Sequence, residues 1–285
     1  MPSFGLQMPS FTFEDVPNDR MFERIAETAL AAEDAGFDSF WVMDHYHQIA
    51  SVGPDTDPML EAYTLLGAVA ARTRRIRLGT MVTGVTYRNP AFLAKVVTTL
   101  DVVSAGRAIL GIGAAWNEVE SRAYGYDWPS TAERFERLED ALRICRAMFT
   151  AERTTYEGVR HHVDGALNVP QPIQDGGPPI LVGGNGERKT LRLTATYADM
   201  WNGFGDPAGI RHKLDVLERH CAAVGRDPRD IETTRLGTPI TDPRIVEASA
   251  AFFDVGVDGM IFGTPTGATP DQVSDAAHAV MAAFR

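Results

Sequence analysis

Cysteine is nearly absent: the 285 residues contain two, Cys145 and Cys221, both inside helical patterns. Two distant thiols make neither a disulfide framework nor a metal spacing, so buried free thiols are expected. Positive charge is also short, with 27 Lys plus Arg against 38 Asp plus Glu and a net charge of -11. Nucleic acid needs a basic face to meet its phosphates and is excluded as a partner. Adhesion to an anionic membrane is excluded for the same reason. A small anionic cofactor is not excluded, because local backbone amides can hold it whatever the global sign. No long apolar span, signal peptide or lipidation motif is present, so no membrane partner and a cytoplasmic location are expected. The chain also lacks a nucleophile elbow, a Walker loop and a zincin motif, which leaves a hydrolase or kinase without its machinery.

What is present is concentrated between Arg74 and Asn117. Ile76, Leu78 and Thr80 to Val82 form a β-rich run, and Tyr87-Arg88-Asn89-Pro90 breaks it and starts a helix. Phe92 to Val103 has helical apolar spacing, Ser104-Ala105-Gly106 stops it, and Ala108 to Ile112 reads as a strand buried on both faces. This is a βαβ unit, which requires a parallel sheet. Gly111, Gly113 and the small Ala114-Ala115 follow at once, where bare backbone lets a ligand approach closely.

The same alternation runs from end to end. Strands are predicted at Phe4 to Met8, Ser39 to Asp44, Pro179 to Val182, Met200 to Asn202, Thr233 to Gly237 and Gly259 to Phe262, in addition to the two above. Helices are predicted at Met21 to Ala35, Glu61 to Ala71, Ala132 to Phe149, Arg188 to Thr196, Gly209 to Val224, Arg244 to Asp254 and Pro270 to Phe284. Thr155 to Gly177, rich in Gly, Pro and paired polar residues, reads as a short β excursion. Eight strands alternating with helices predict an α/β fold, a (β/α)8 TIM barrel with an insertion between strand 4 and strand 5, as one domain over residues 1–285. A doubly wound open sheet is the alternative, but the exit of the first strand carries no G-x-G-x-x-G.

In a barrel the carboxyl ends of the strands face the active site, which makes the candidate residues enumerable. Strand two ends in Asp44-His45-Tyr46-His47, and His45 is a candidate proton donor or acceptor because imidazole titrates near neutrality. A structural histidine in the loop is the alternative. His45 and His47 share a face, but no Cys or Glu completes a coordination set nearby, so no metal is expected. The fifth strand opens through Gly183-Gly184-Asn185-Gly186 into a helix, a turn whose amides can converge on a phosphate. Trp116 and Trp201 leave two strands beside small residues. Two aromatic walls over a glycine floor suit a flat, mostly apolar ligand, and a closing layer of barrel core is the bland alternative.

In this order and spacing the motifs resemble the bacterial luciferase-like superfamily, in particular its branch of deazaflavin (coenzyme F420)-dependent oxidoreductases. The resemblance covers nearly the whole chain. It runs through Asp44-His45, Leu78 to Thr83, Tyr87-Arg88-Asn89-Pro90, Leu100-Asp101-Val102, Gly106-Arg107, Gly111-Ile112-Gly113, Arg134-Phe135, Pro178 to Gly184 and Ala198 to Asn202. It implies a non-proline cis peptide joining Met81 and Val82, whose bulge supports the deazaflavin ring, with Asp44 in the same site. It also implies that Ala114 and Ala115 lie along the cofactor's side chain, that Gly183 to Gly186 hold its phosphate, and that His45 sits beside its reacting edge. The family's sugar-phosphate dehydrogenases carry a glutamate where this chain has Trp116, and a lysine after strand six where it has Asn202-Gly203-Phe204. Sugar-phosphate oxidation is therefore not expected, and an apolar or aromatic small-molecule substrate is. The reading is an F420-dependent oxidoreductase, expected as a homodimer. An FMN-dependent monooxygenase of the same superfamily is the first alternative, and a non-catalytic cofactor-binding protein is the second.

Overall fold

A computed structural model describes residues 1–285. In chain order the first half comprises β1 (Ser3–Met8), α1 (Met21–Asp34), β2 (Ser39–Val42), α2 (Ala62–Arg72), β3 (Arg77–Thr80), β4 (Thr83–Gly84), α3 (Pro90–Val103), β5 (Ala108–Gly113), α4 (Glu118–Ala123) and α5 (Thr131–Thr150). The second half comprises β6 (Arg153–Glu157), β7 (His162–Leu167), β8 (Ile180–Gly183), α6 (Thr190–Tyr197), β9 (Met200–Gly203), α7 (Pro207–Val224), β10 (Glu232–Pro239), α8 (Ile245–Asp254), β11 (Gly259–Gly263) and α9 (Pro270–Phe284).

Eight of these strands close a parallel ring. β1 pairs with β2 on one side and β11 on the other, and β3 meets β5 to complete the circle β1-β2-β3-β5-β8-β9-β10-β11. This is the (β/α)8 barrel read from the sequence. β6 and β7 form the expected β excursion, an antiparallel hairpin between β5 and β8. Asp140 on α5 ties it down by accepting from the Tyr156 hydroxyl (2.9 Å) and from the Arg160 and His161 amides (2.7 and 2.9 Å).

Alternation along each strand divides the apolar residues between two cores. Phe4, Leu6 and Met8 of β1 face the helices, while a separate interior cluster of Trp41, Ile109, Leu181, Met200 and Ile261, with Met81, fills the ring. The Trp41 indole occupies the middle of the barrel because its neighbours are bare: a Cβ on Gly79 would lie 2.6 Å from its ring, and one on Gly5 would lie 2.9 Å from its Nε1. Toward the carboxyl end, inward positions hold Gly113 on β5, four residues beyond Ile109, and Gly183 on β8 and Gly263 on β11, each two residues beyond Leu181 and Ile261. The space at Gly263 stays open, while Val82 occupies that at Gly113 and Gly183.

Several boundaries differ from the sequence reading, for local reasons. Strand three was read to Val82; it stops at Thr80, passes through the cis Met81–Val82 peptide that the resemblance implied, and resumes at Thr83. α3 and α7 begin two residues earlier than expected, because Asn89 and Asp206 cap them and Pro90 and Pro207 fit their first turns. α4, capped by Asn117, was not foreseen. Both cysteines are buried free thiols, and burial pushes Cys145 up to about 12. No helix is long and apolar enough to cross a membrane.

Candidate active site

The carboxyl ends of the strands surround a cavity of ≈970 Å³, lined by His45, Met81, Val82, Ala114, Ala115, Trp116, Gly183 and Gly184 among others. β2 delivers the first two polar residues. Asp44 borders the cavity but is already engaged: Arg88 grips its two carboxylate oxygens at 2.6 and 3.0 Å, and reaches Glu61 at 2.6 Å. Burial alone would depress the Arg88 guanidinium, but the Asp44 charge and its hydrogen bonds outweigh that and hold it above the usual arginine range. Asp44 therefore anchors the loop after β2 to the start of α3.

His45 follows, with its ring edge-on to Trp116 at a centroid separation of 5.5 Å. Its Nδ1 lies 2.7 Å from Oε2 of Glu120, whose side chain is 0% exposed. Glu120, two residues beyond Glu118, was missed in the sequence. Glu118 instead points outward and pairs with Arg122 one turn on. The one available signal was Asn117, which caps α4 and so turns position 120 toward the barrel. Glu120 also accepts from the Tyr46 amide and from the Tyr87 hydroxyl at 2.8 Å. Burial would raise its pKa, but the His45 bond, the Tyr46 amide and the Tyr87 hydroxyl hold it below the ordinary glutamate value. Burial, and then the Glu120 charge, drives Tyr87 the other way, well above the usual phenol range. Tyr46, Tyr87, Tyr124 and Tyr126 stack around this carboxylate, with Tyr46 4.8 Å from Tyr87 and 4.6 Å from Tyr124.

The kink between β3 and β4 lies between β2 and β5. Gln7 donates to the Met81 carbonyl (3.4 Å), and the Thr80 hydroxyl donates to the Gly111 carbonyl (3.0 Å) and lies 2.8 Å from the Thr83 hydroxyl. Val82 then packs between two glycines: a Cβ on Gly113 or Gly183 would come within 2.9 or 2.8 Å of its methyls. The glycines after β5 were read as room for a ligand. In the structure Gly111 makes room for the Thr80 carbonyl, and Gly113 for Val82.

Three further expectations are corrected. Trp201 is not a cavity wall: its side chain points out of the ring, is fully buried among the helices, and donates from Nε1 to the Gly184 carbonyl at 2.9 Å. Its neighbour Met200 takes the inward position instead. Asn185 and Gly186 do not line the cavity either. The Asn185 side chain bridges the Phe204 backbone in both directions (2.5 and 3.1 Å), tying the turn after β8 to the exit of β9. α6 starts only at Thr190, so Arg188 and Lys189 precede the helix, and Lys189 lies over the Phe135 ring. The cation that does border the cavity is Arg134, which donates to the Ala114 and Pro129 carbonyls (3.1 and 2.7 Å) and stacks on Trp128. Desolvation lowers its pKa.

A closed parallel barrel with a cavity, a histidine–carboxylate pair and a half-buried arginine at the carboxyl face defines a (β/α)8-barrel protein with its chemistry in the strand-to-helix loops. The chain belongs to the luciferase-like monooxygenase family, which matches residues 3–282. It is 34% identical over 236 residues to an F420-dependent glucose-6-phosphate dehydrogenase of Microbacterium testaceum, a match covering 81% of this chain and 66% of that protein. It is 31% identical over 255 residues to a phthiodiolone/phenolphthiodiolone dimycocerosates ketoreductase of Mycobacterium kansasii, covering 83% and 68%. The chain thus spans about two thirds of the length of these curated relatives. A solved F420-dependent secondary alcohol dehydrogenase in complex with an F420–acetone adduct superposes with a TM-score of 0.84 at 20% identity, covering 100% of this chain and 99% of that one. At that identity the likeness concerns the fold.

Proposed function

We propose that the chain is an F420-dependent oxidoreductase moving a hydride between the deazaflavin and a neutral, mostly apolar alcohol or carbonyl substrate. The observation that carries this reading is convergence: His45, Met81, Ala114 and Gly184, from four different strands, border one cavity. Its residues fit a flat ring with a phosphate-bearing side chain. Val82 forms a raised floor that only glycine at 113 and 183 permits, and the walls at Ala114 and Ala115 are small. Gly184 leaves β8 with φ +123, a conformation open chiefly to glycine, and exposes backbone to the cavity beside Arg134.

When bound, the deazaflavin supplies the hydride donor or acceptor; the protein supplies position and a proton partner. Met81, Val82 and Ala114 would hold the ring, Gly183, Gly184 and Arg134 would hold its phosphate, and His45 would exchange the proton of the substrate oxygen through Nε2. Trp116, 63% exposed at the rim, shields the reacting face.

The substrate class follows from charge. Three ionisable side chains other than tyrosine border the cavity: Asp44 is committed to Arg88, Arg134 is assigned to the cofactor's phosphate, and His45 is the proton partner. No lysine lines it, and Ile49, Val52, Phe204, Leu236 and Pro239 do. A substrate phosphate would be desolvated there without a free counter-charge, which is costly. A sugar phosphate is therefore disfavoured and an apolar alcohol or ketone is accepted.

Titrating the apoprotein with F420 and with FMN, read by fluorescence, tests the cofactor. Tight F420 binding is expected, and tight FMN binding without F420 binding would transfer the protein to the monooxygenase reading. Secondary alcohols should then reduce bound F420 where glucose 6-phosphate does not. A loaded protein that exchanges hydride with no donor or acceptor would leave a cofactor carrier. A homodimer belongs to the same proposal, because α3 leaves Phe92 and Val103 more than half exposed; sedimentation velocity tests it.

A further inference from the structure

We infer that Glu120 is a positioning residue that fixes the tautomer of His45, placing the hydrogen on Nδ1 and leaving the Nε2 lone pair open to the cavity. Donors and acceptors around Glu120 decide the tautomer. A carboxylate has no hydrogen to give. Oε1 of Glu120 meets the Tyr46 amide, which can only donate, and Oε2 accepts from the Tyr87 hydroxyl at 2.8 Å. The remaining partner, His45 Nδ1, is 2.7 Å from Oε2, and two bare lone pairs would repel at that distance. Nδ1 must therefore carry the hydrogen. Nε2 has no hydrogen-bond partner in the protein, and the ring borders the cavity. Free histidine has no such constraint, so the assignment belongs to this site alone.

The consequence for chemistry rests on the oxidoreductase reading. As an alcohol is oxidised, its C–H leaves as hydride with both electrons to the deazaflavin, and its O–H proton passes to the Nε2 lone pair. Carbonyl reduction runs the same exchange in reverse, with the proton returned from Nε2. A histidine protonated at Nε2 while neutral could not accept, and one free to rotate would lose the alignment that makes transfer fast.

The test separates the tautomer from the reaction. Long-range ¹H–¹⁵N spectra of the ¹⁵N-histidine-labelled apoprotein, with the His45 signals assigned by their loss in His45→Gln among seven histidines, report the tautomer without cofactor or substrate. A pyrrole-type Nδ1 and a pyridine-type Nε2 are expected in the neutral form. A pyridine-type Nδ1, or averaged shifts, would overturn the proposal even if F420 binds. In Glu120→Gln the Tyr46 amide should pin the new carboxamide oxygen, turning its NH₂ toward His45, so the tautomer should flip to Nε2–H. Tyr87→Phe, which leaves the carboxylate in place, should keep Nδ1–H; loss of that tautomer in Tyr87→Phe would equally overturn the assignment. With F420 loaded, Glu120→Gln should lower kcat by about 10- to 100-fold with KM and F420 affinity little changed. Should that variant not fold, the wild-type spectrum and Tyr87→Phe still decide. If F420 does not bind but the wild-type tautomer is Nδ1–H, only the oxidoreductase reading falls.

Discussion

At the amino end of the barrel one device is used three times, whereas at the carboxyl end unlike polar and aromatic side chains from different strands converge on one cavity. Asp38, Asp199 and Asp258 each precede a strand and accept from an amide at the start of the neighbouring one: Phe4 (2.8 Å), Ile180 (2.7 Å) and Thr233 (2.8 Å). Below Trp41 the ring narrows to a cavity of ≈230 Å³ bordered by Ser3, Asp38, Arg77 and Glu232. Burial depresses the Arg77 guanidinium, and the Glu232, Asp38 and Asp199 carboxylates oppose that. The upper end has four times that volume and a single histidine–glutamate pair. A repeated, self-satisfied device is what stability asks for. A set of unlike groups converging on open space is what binding and chemistry ask for.

If the two ends divide the work in this way, substitutions at each should move different observables. His45→Ala should reduce turnover by about 10²- to 10⁴-fold, the usual contribution of a positioned acid or base, with the melting temperature and F420 affinity nearly unchanged. Unchanged turnover would remove it from the mechanism. At the other end, Asp199→Ala strands the Ile180 amide and releases Arg146, which it holds at 2.6 Å. Denaturant melts should show a loss of about 1–3 kcal/mol, with kcat and cofactor affinity as in the wild type. A fall in kcat there would blur the division between the ends.

Ala114→Leu sharpens the comparison from the cavity side. A larger side chain at this half-buried wall should weaken F420 binding about tenfold while costing stability less than about 1.5 kcal/mol. The smallest effect is a pH dependence. Glu120 is held below the ordinary glutamate value of 4.5 by its three donors, so its contribution to stability is in place above that value. It is lost as pH falls through the depressed folded value. Chemical denaturation at pH 7 and below pH 4 should show the wild type's advantage over Glu120→Gln shrinking on the acid side. An advantage that grew there would mean that the carboxylate is not stabilised in the fold.

The alternation of elements was legible because each signal is local. Period-2 and period-3.6 apolar spacing, Gly and Pro at the breaks, and caps such as Thr269, whose capping box starts α9 at Pro270, are written in short windows. His45, Ala114 and Gly184 could be placed because a carboxyl strand end is a position in sequence as much as in space. Trp201 and Glu120 could not. Whether Met200 or Trp201 faces inward depends on the phase of β9 within a closed ring, and a shift of one residue exchanges the two. Glu118 and Glu120 differ only in which side of a short helix meets the barrel, and that is decided by how α4 packs beneath Tyr46 and Tyr87.

Residue order by itself therefore determined eight strands, their helices, an inserted hairpin and the glycine-rich ends where a ligand could enter, because these follow from backbone preferences spanning a few residues. Only the tertiary structure decided which tryptophan fills the barrel, which glycines yield to Val82, and that a glutamate 75 residues away orients His45. Those outcomes depend on closure of the ring, which brings together side chains whose separation along the chain carries no record of their contact.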